Sequence, residues 1–323
     1  MSKLLTVSIA AYNVENFLKN TLDSCVICEK LLEDIEVIIV NDGSKDRTSE
    51  IANIYVKKYP NTFKLIDKEN GGYGSTVNAS LQYATGKYFK LLDGDDWFNT
   101  KELEKFVGIL DQINDDLIIS DYSTINDITR ENILFHSEYL LPDKSTCTDQ
   151  LPADSDIYVM HRLTYKTSIL REAGLKLPEH CFYTDTQYIT CPLWKIETYR
   201  YIPFNIYQYR IGQADQSISL ASIIRHLDDI RRMLEDLEYY FDAIDYKRRE
   251  WVIDWRISES YKFYISYLFF EKDSKQEIYE FINRIYLKYP QRYKLMKNRK
   301  IRLMNITKGK AYALCKLFIK LGL

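Results

Sequence analysis

The chain has 323 residues, 46% hydrophobic and 28% charged, an ordinary soluble composition that suits one large domain with an appendage or two domains. No apolar run reaches 18 residues and the apolar start, MSKLLTVSIAAYN, is too short for a secretory signal, which excludes a spanning helix and points to the cytoplasm. The formal net charge of −2 hides an asymmetry: residues 288–323 carry eleven Lys or Arg and no acid, leaving about −13 for the rest.

The first 120 residues alternate between strand and helix patterns. LLTVSIAAY reads as a strand, followed by a helix-period stretch from Val14 to Leu32. IEVIIV (35–40) is a continuous β-branched run, as expected of a strand covered on both faces. NDGSKDRT breaks it and leads to a helix near Ser49–Tyr59. TFKLID, KYFKLLD and DLIISD are further strands, with helices over Ser75–Ala84 and Lys101–Leu110 between them. This rhythm predicts an α/β fold, a mostly parallel sheet covered by helices.

After Asp121 the rhythm changes. Residues 122–160 suit an antiparallel ribbon and loops, and residues 161–218 mix a short helix with the strand-like RYIPFNIYQYRI. From Ser219 the pattern is helical, with Trp251, Trp255, Tyr261, Tyr264 and Leu268 at helical spacing. The expected division is an α/β domain over 1–218 and a helical region over 219–323. The six cysteines lack a framework spacing; Cys25-x-x-Cys28 falls in a helical pattern with no second pair for zinc, so buried free thiols are expected.

In open α/β sheets, ligands bind beyond the carboxyl ends of the strands. Those ends carry Tyr12-Asn13, Asn41-Asp42-Gly43-Ser44, Asn70-Gly71-Gly72 and Asp93-Gly94-Asp95-Asp96, so polar, acidic and Gly-rich tips converge. Three carboxylates side by side repel unless a cation or water screens them. An EF-hand starting at Asp93 fails because Trp97 and Phe98 stand where an oxygen ligand and a glycine are needed. Capping of the helix near Lys101 would use Asp96 alone. A divalent ion shared with substrate phosphates accounts for all three, and Mg²⁺ or Mn²⁺ binds in this way.

The segments VSIAAYN, VIIVNDGSKDRT, ENGGYGSTVNASLQYATGKYFKLLDGDD and YTDTQY, in that order, resemble the family-2 inverting glycosyltransferases of the GT-A fold over roughly residues 5–215. The resemblance implies a metal-dependent transfer from a nucleotide-sugar, expected to be a UDP-sugar, to a hydroxyl of a glycan acceptor. The setting it implies is bacterial surface polysaccharide or glycoconjugate synthesis, with the acceptor lipid-linked or on a glycoprotein. It would place Tyr12 and Asp42 at the base, Asp93 at the ribose, Asp95 on the metal and Asp185 as catalytic base, with Asn13, Gly72 and Asn78 also on the donor. Val77 stands where the family often has Arg, a departure that leaves that donor contact to another residue. Independently of the resemblance, Thr184-x-x-Gln187 reads as a capping box that puts Asp185 in a first helical turn. Arg210, Gln216 and Ser217 are candidates to close over the diphosphate or hold the acceptor. His161, after IYVM, reads as core or acceptor pocket.

A nucleotidyltransferase would show a Gly-rich, Arg/Lys-bearing loop after the first strand, which AAYNVEN lacks. An inactive relative acting as a nucleotide-binding scaffold or partner subunit remains as the non-catalytic alternative. The basic end implies an anionic partner: acidic lipid headgroups, nucleic acid, or the protein's own acidic body. Its last stretch, YALCKLFIKLGL, sets Leu314, Leu317, Phe318 and Leu321 on one helical face and Lys316 and Lys320 on another. That pattern suits an anionic membrane surface, or leucines packed on the body or in a homo-oligomer contact. No nucleic-acid module accompanies the charge.

Overall fold

The computed structural model describes residues 3–212 and 218–320. Two compact units divide the chain, Met1–Gln213 and Ala214–Leu323.

The first unit contains, in order, β1 (Leu5–Ala11), α1 (Leu18–Ser24), α2 (Glu29–Leu32), β2 (Ile35–Asp42), α3 (Thr48–Lys58), β3 (Phe63–Lys68), α4 (Tyr73–Tyr83), β4 (Tyr88–Asp93), β5 (Trp97–Phe98) and α5 (Thr100–Leu110). There follow β6 (Leu117–Asn126), β7 (Asn132–Phe135), β8 (Ser145–Cys147), β9 (Leu163–Lys166), α6 (Thr167–Glu172), α7 (Asp185–Thr190) and β10 (Thr198–Ile211). The sheet runs β3-β2-β1-β4-β9-β6-β10-β5, with β7 on β6 and β8 on β10. The block β3-β2-β1-β4 is parallel, and β2, the β-branched run, is buried along its whole length. Beyond it the sheet is mixed, because β9 lies antiparallel to both β4 and β6. Register brings Ala10 level with Asp93, Ala11 with Asn41 and Asp42 with Lys68, so the polar strand ends share one rim.

Helix α5 shows why the local sequence folds as it does. Leu103, Phe106, Val107 and Leu110 form a buried stripe at i, i+3, i+4, i+7, and the Asn99 side chain caps the first turn by accepting from Glu102 N–H. The Val14–Leu32 expectation is corrected: two short helices stand there, with Cys25 capping the end of α1 and Cys28 the start of α2. The thiols are not all buried either, since Cys28 and Cys147 are exposed.

The second unit is helical: α8 (Leu220–Arg225), α9 (Leu227–Asp242), α10 (Glu250–Leu268), α11 (Lys275–Lys288), α12 (Pro290–Leu295), α13 (Arg299–Ile306) and α14 (Tyr312–Lys320). Its interior holds a polar network. Arg292 Nε donates to Asp254 at 2.7 Å with both side chains almost fully buried, and Tyr261 donates to Glu238 at 2.8 Å. Among the described residues, no helix is long and apolar enough to cross a membrane.

Candidate active site

The β4 end builds the acidic centre. Gly94 N–H donates to Ala10 carbonyl, and the single Thr21 hydroxyl proton is shared between the carbonyls of Asp96 and Gly94, which fixes the loop against β1 and α1. One carboxylate oxygen from each of Asp93, Asp95 and Asp96 then lies within 4.8 Å of the others. Burial, followed by the charge of Asp95, pushes the Asp93 carboxyl up to about 8, with Asp185 adding to the effect. Burial raises Asp95 as well, partly offset by Arg210, and pushes Asp96 well above its usual range. Like charges gathered in a low dielectric hold protons unless a cation replaces them.

The three aspartates are not equivalent. Asp96, 1% exposed, accepts from Tyr207 Oη at 2.6 Å and from Arg210 N–H at 2.7 Å. It therefore anchors β10 to the loop. Asp93 Oδ1 is buried with no hydrogen-bond partner. An orphaned carboxylate oxygen, next to two further hard oxygen donors, fits Mg²⁺ or Mn²⁺. Asp95, half-buried, completes the donor set.

Strand β10 reaches this loop because it bends. Its register on β6 shifts between Ile202 and Tyr207, around exposed Pro203, and the segment beyond pairs with Trp97-Phe98 of β5. Arg210 Nε donates to Asp95 carbonyl at 2.7 Å, Nη1 donates to both Asp127 oxygens at 2.8 Å, and the guanidinium lies over Trp97 and Phe17. Arg210 thus stands beside the acidic centre as a fixed cation, locked by Asp127. Gln216 and Ser217 lie outside the described residues.

The neighbouring rim is held by Asp42. Its Oδ1 accepts from Gly71 N–H at 2.9 Å and from Lys68 Nζ at 2.8 Å, and its Oδ2 accepts from Gly72 N–H at 2.8 Å. Gly72 has φ +81°, and a Cβ there would come within 3.2 Å of His180 N, so the turn needs glycine on both counts. Asn13 sits with φ 53° and clips the loop after β2, donating from its N–H to Ser44 Oγ and accepting from Lys45 N–H. Tyr12 is 52% exposed.

Asp185 arrives through α4. The Asn78 amide is bonded twice to the Leu177 backbone, donating at 2.8 Å and accepting at 2.8 Å. His180 N–H donates to Gly71 carbonyl, and Gly74 packs so tightly on Pro178 that a Cβ would meet its carbonyl oxygen at 2.2 Å. The segment so held leads into α7, whose first residue is Asp185. The charge of Asp185 is felt at Asp93, Tyr73 and Tyr209. The expected capping box does not form. Thr184 has helical backbone angles and makes no side-chain cap, and its Oγ1 and the Gln187 Oε1 are buried without hydrogen-bond partners.

The structure therefore brings Asp93, Asp95, Arg210 and Asp185 into one electrostatic neighbourhood, and Asn13, Asp42 and Gly72 onto the adjoining rim. Asn78 is engaged by Leu177, one step behind. Val77, in the position of the family's Arg, is buried in α4. Sequence reasoning missed Asp127, Tyr207 and Tyr73. His161 stacks between Tyr122 and Tyr209, at centroid distances of 5.2 and 4.4 Å. Burial, then the charge of Lys90, pushes its imidazole down to about 3, so it is neutral.

The sequence profile of Glycosyl transferase family 2 matches residues 6–174, more than half of the chain. The chain belongs to glycosyl transferase family 2. Curated relatives of this family-2 chain include an uncharacterized glycosyltransferase of Rickettsia prowazekii, 37% identical over 119 residues, 36% of each chain. The minor teichoic acid biosynthesis protein GgaB of Bacillus subtilis is 28% identical over 221 residues, 66% of this chain and 23% of GgaB. The match therefore spans about a quarter to just over a third of these relatives' own lengths. Among solved structures, residues 1–349 of S. aureus TarS in complex with UDP-GlcNAc align with a TM-score of 0.75 at 16% identity, over 99% of this chain and 92% of that one. The mannosyltransferase PcManGT of Pyrobaculum calidifontis, with GDP-Man and Mn²⁺, aligns with a TM-score of 0.55 at 14% identity, over 99% of this chain and 88% of that one. At such identities the likeness establishes the fold, which is GT-A as expected.

Proposed function

We propose that this chain is an inverting glycosyltransferase that moves a sugar from a nucleotide-sugar, a UDP-sugar first, to a hydroxyl of a bacterial surface glycan or glycoconjugate. The observation that carries the reading is the trio Asp93, Asp95 and Asp96, gathered within 4.8 Å with one oxygen orphaned and Asp185 close by. The relatives support the donor class: TarS is solved with UDP-GlcNAc and PcManGT with GDP-Man and Mn²⁺. GgaB, named for teichoic acid synthesis, supports the acceptor class.

In this reading Asp95, with Asp93, holds Mn²⁺ or Mg²⁺. A divalent ion there supplies positive charge to the leaving diphosphate. Asp42 keeps the Gly71-Gly72 turn in shape beneath the donor, and Tyr12 and Asn13 line the base side. Asp185 takes the proton of the acceptor hydroxyl as its oxygen bonds to the anomeric carbon and the carbon–oxygen bond to the diphosphate breaks. Arg210, fixed by Asp127, steadies the Asp95 carbonyl and keeps the acidic loop in place.

The test is nucleoside diphosphate release from a panel of UDP- and GDP-sugars, with Mn²⁺, Mg²⁺ or EDTA, on wild type, Asp95→Asn and Asp185→Asn. Release from one donor that depends on the ion and falls at least ~100-fold in both variants is expected, the scale of losing a positioned base or electrostatic stabiliser. Nucleotide binding without turnover, even with lipid-linked acceptors added, would establish the scaffold alternative instead.

A further inference from the structure

The C-terminal helices present an unusual surface. Tyr312 stacks on Phe269 with ring centroids 5.5 Å apart, and Cys315 is fully buried with its thiol 3.7 Å from Lys300 carbonyl. Lys316 folds back, donating to Tyr312 Oη at 2.9 Å and to Glu271 carbonyl at 3.4 Å. These contacts fix the rotation of α14 and turn its leucines outward. Leu314 is 46% exposed and Leu317 52%, while Ile306, at the end of α13, is 79% exposed. About half of each of these leucine side chains therefore stays open to solvent; Leu321 lies outside the described residues.

The cations around them are unspent. Lys288 pairs with Asp242 and Arg292 with Asp254. Among the described residues, Lys294, Lys297, Arg299, Arg302, Lys308 and Lys310 are exposed and join no ion pair. The charge asymmetry is thus not used up by the protein's own acids.

We infer that the α13–α14 end docks on an anionic phospholipid surface, with Ile306, Leu314 and Leu317 entering the interface and these cations meeting the headgroups. A second copy of the chain fits less well, because a symmetric contact would bring the same uncompensated cations together. A nucleic acid would gain nothing from exposed aliphatic side chains, which offer no ring for a base to stack on. A bilayer rewards both features at once, since the exposed apolar side chains and the unpaired cations lie in the same stretch, residues 294–317.

The test is co-sedimentation of the full chain with vesicles of phosphatidylcholine alone or with added phosphatidylglycerol, at low and high salt. Wild type binds the phosphatidylglycerol vesicles, more weakly in high salt, and leaves phosphatidylcholine alone. Arg302→Ala with Lys310→Ala weakens the partition roughly 25-fold, about fivefold per cation. Leu314→Ser with Leu317→Ser abolishes it at unchanged helix content, which circular dichroism verifies. Equal binding to both vesicle types, none to either, or leucine variants that bind like wild type would overturn the inference. So would a wild-type dimer in light scattering that the leucine variants split, or a gel shift with RNA in place of vesicle binding.

Discussion

Replacing Asp42 by Asn separates two roles for the same carboxylate. Asp42 is 2% exposed, and its two oxygens take the amides of Gly71 and Gly72 with Lys68 alongside. Either orientation of an Asn side chain sets an NH₂ against a backbone N–H. One charge-assisted bond is lost, about 1.5–3 kcal/mol, and one buried N–H is left facing a donor, about 1–3 kcal/mol more. The Lys68 pair adds at most ~1 kcal/mol, because that side chain is 26% exposed. A net loss of about 3–4 kcal/mol lowers the melting point of a unit this size by about 10 °C. Differential scanning calorimetry reads it directly. A midpoint within ~2 °C of wild type would refute the reasoning. If nucleotide affinity fell while stability held, Asp42 would be a base contact rather than the keeper of the glycine turn.

Two further outcomes concern buried charge. Lys90 is fully buried, donates to His161 carbonyl at 2.9 Å, and is pushed down to about 7 by burial first and the charge of Arg162 second. A depressed lysine contributes stability that is full above its ordinary value near 10 and is lost as pH falls towards 7. Lys90→Met should therefore raise the midpoint at pH 7 and flatten its rise towards alkaline pH; parallel melting curves for both proteins across that range would contradict this. In the helical unit, Arg292→Met strands the Asp254 carboxylate and should cost about 3–5 kcal/mol in urea unfolding, whereas Arg292→Met with Asp254→Leu recovers most of it. A single variant as stable as wild type would show that the pair is not coupled.

Much of the fold was legible because local pattern and burial agree. Ile35–Val40 reads as a strand covered on both faces and is one, and Lys101–Leu110 reads as a helix and forms one over Thr100–Leu110. The convergence of strand tips was legible too, since parallel topology alone puts Ala11, Asn41 and Asp93 on one rim. What stayed hidden depends on partners distant in sequence. Nothing in INDIT announces that Asp127 locks Arg210, 83 residues away. Likewise, nothing in THR-to-GLN spacing at 184–187 shows that burial would win over capping. The Cys25–Cys28 break in the predicted helix escaped because the apolar residues on either side keep helical spacing through it.

Strand β9 has a consequence for how the protein comes to exist. It fills the slot between β4 and β6, yet it is translated after both, at Leu163–Lys166. Until it arrives, those two strands face each other across a gap with unpaired edges, the kind of surface that invites strand exchange with a neighbouring nascent chain. The carboxylates of the β4 loop leave the ribosome about a hundred residues before Asp185 and Arg210 join them. A chain interrupted anywhere in that interval carries the acidic loop, already held by Ala10 and Thr21, without Asp185 and Arg210, so the candidate site is complete only once Arg210 has been made.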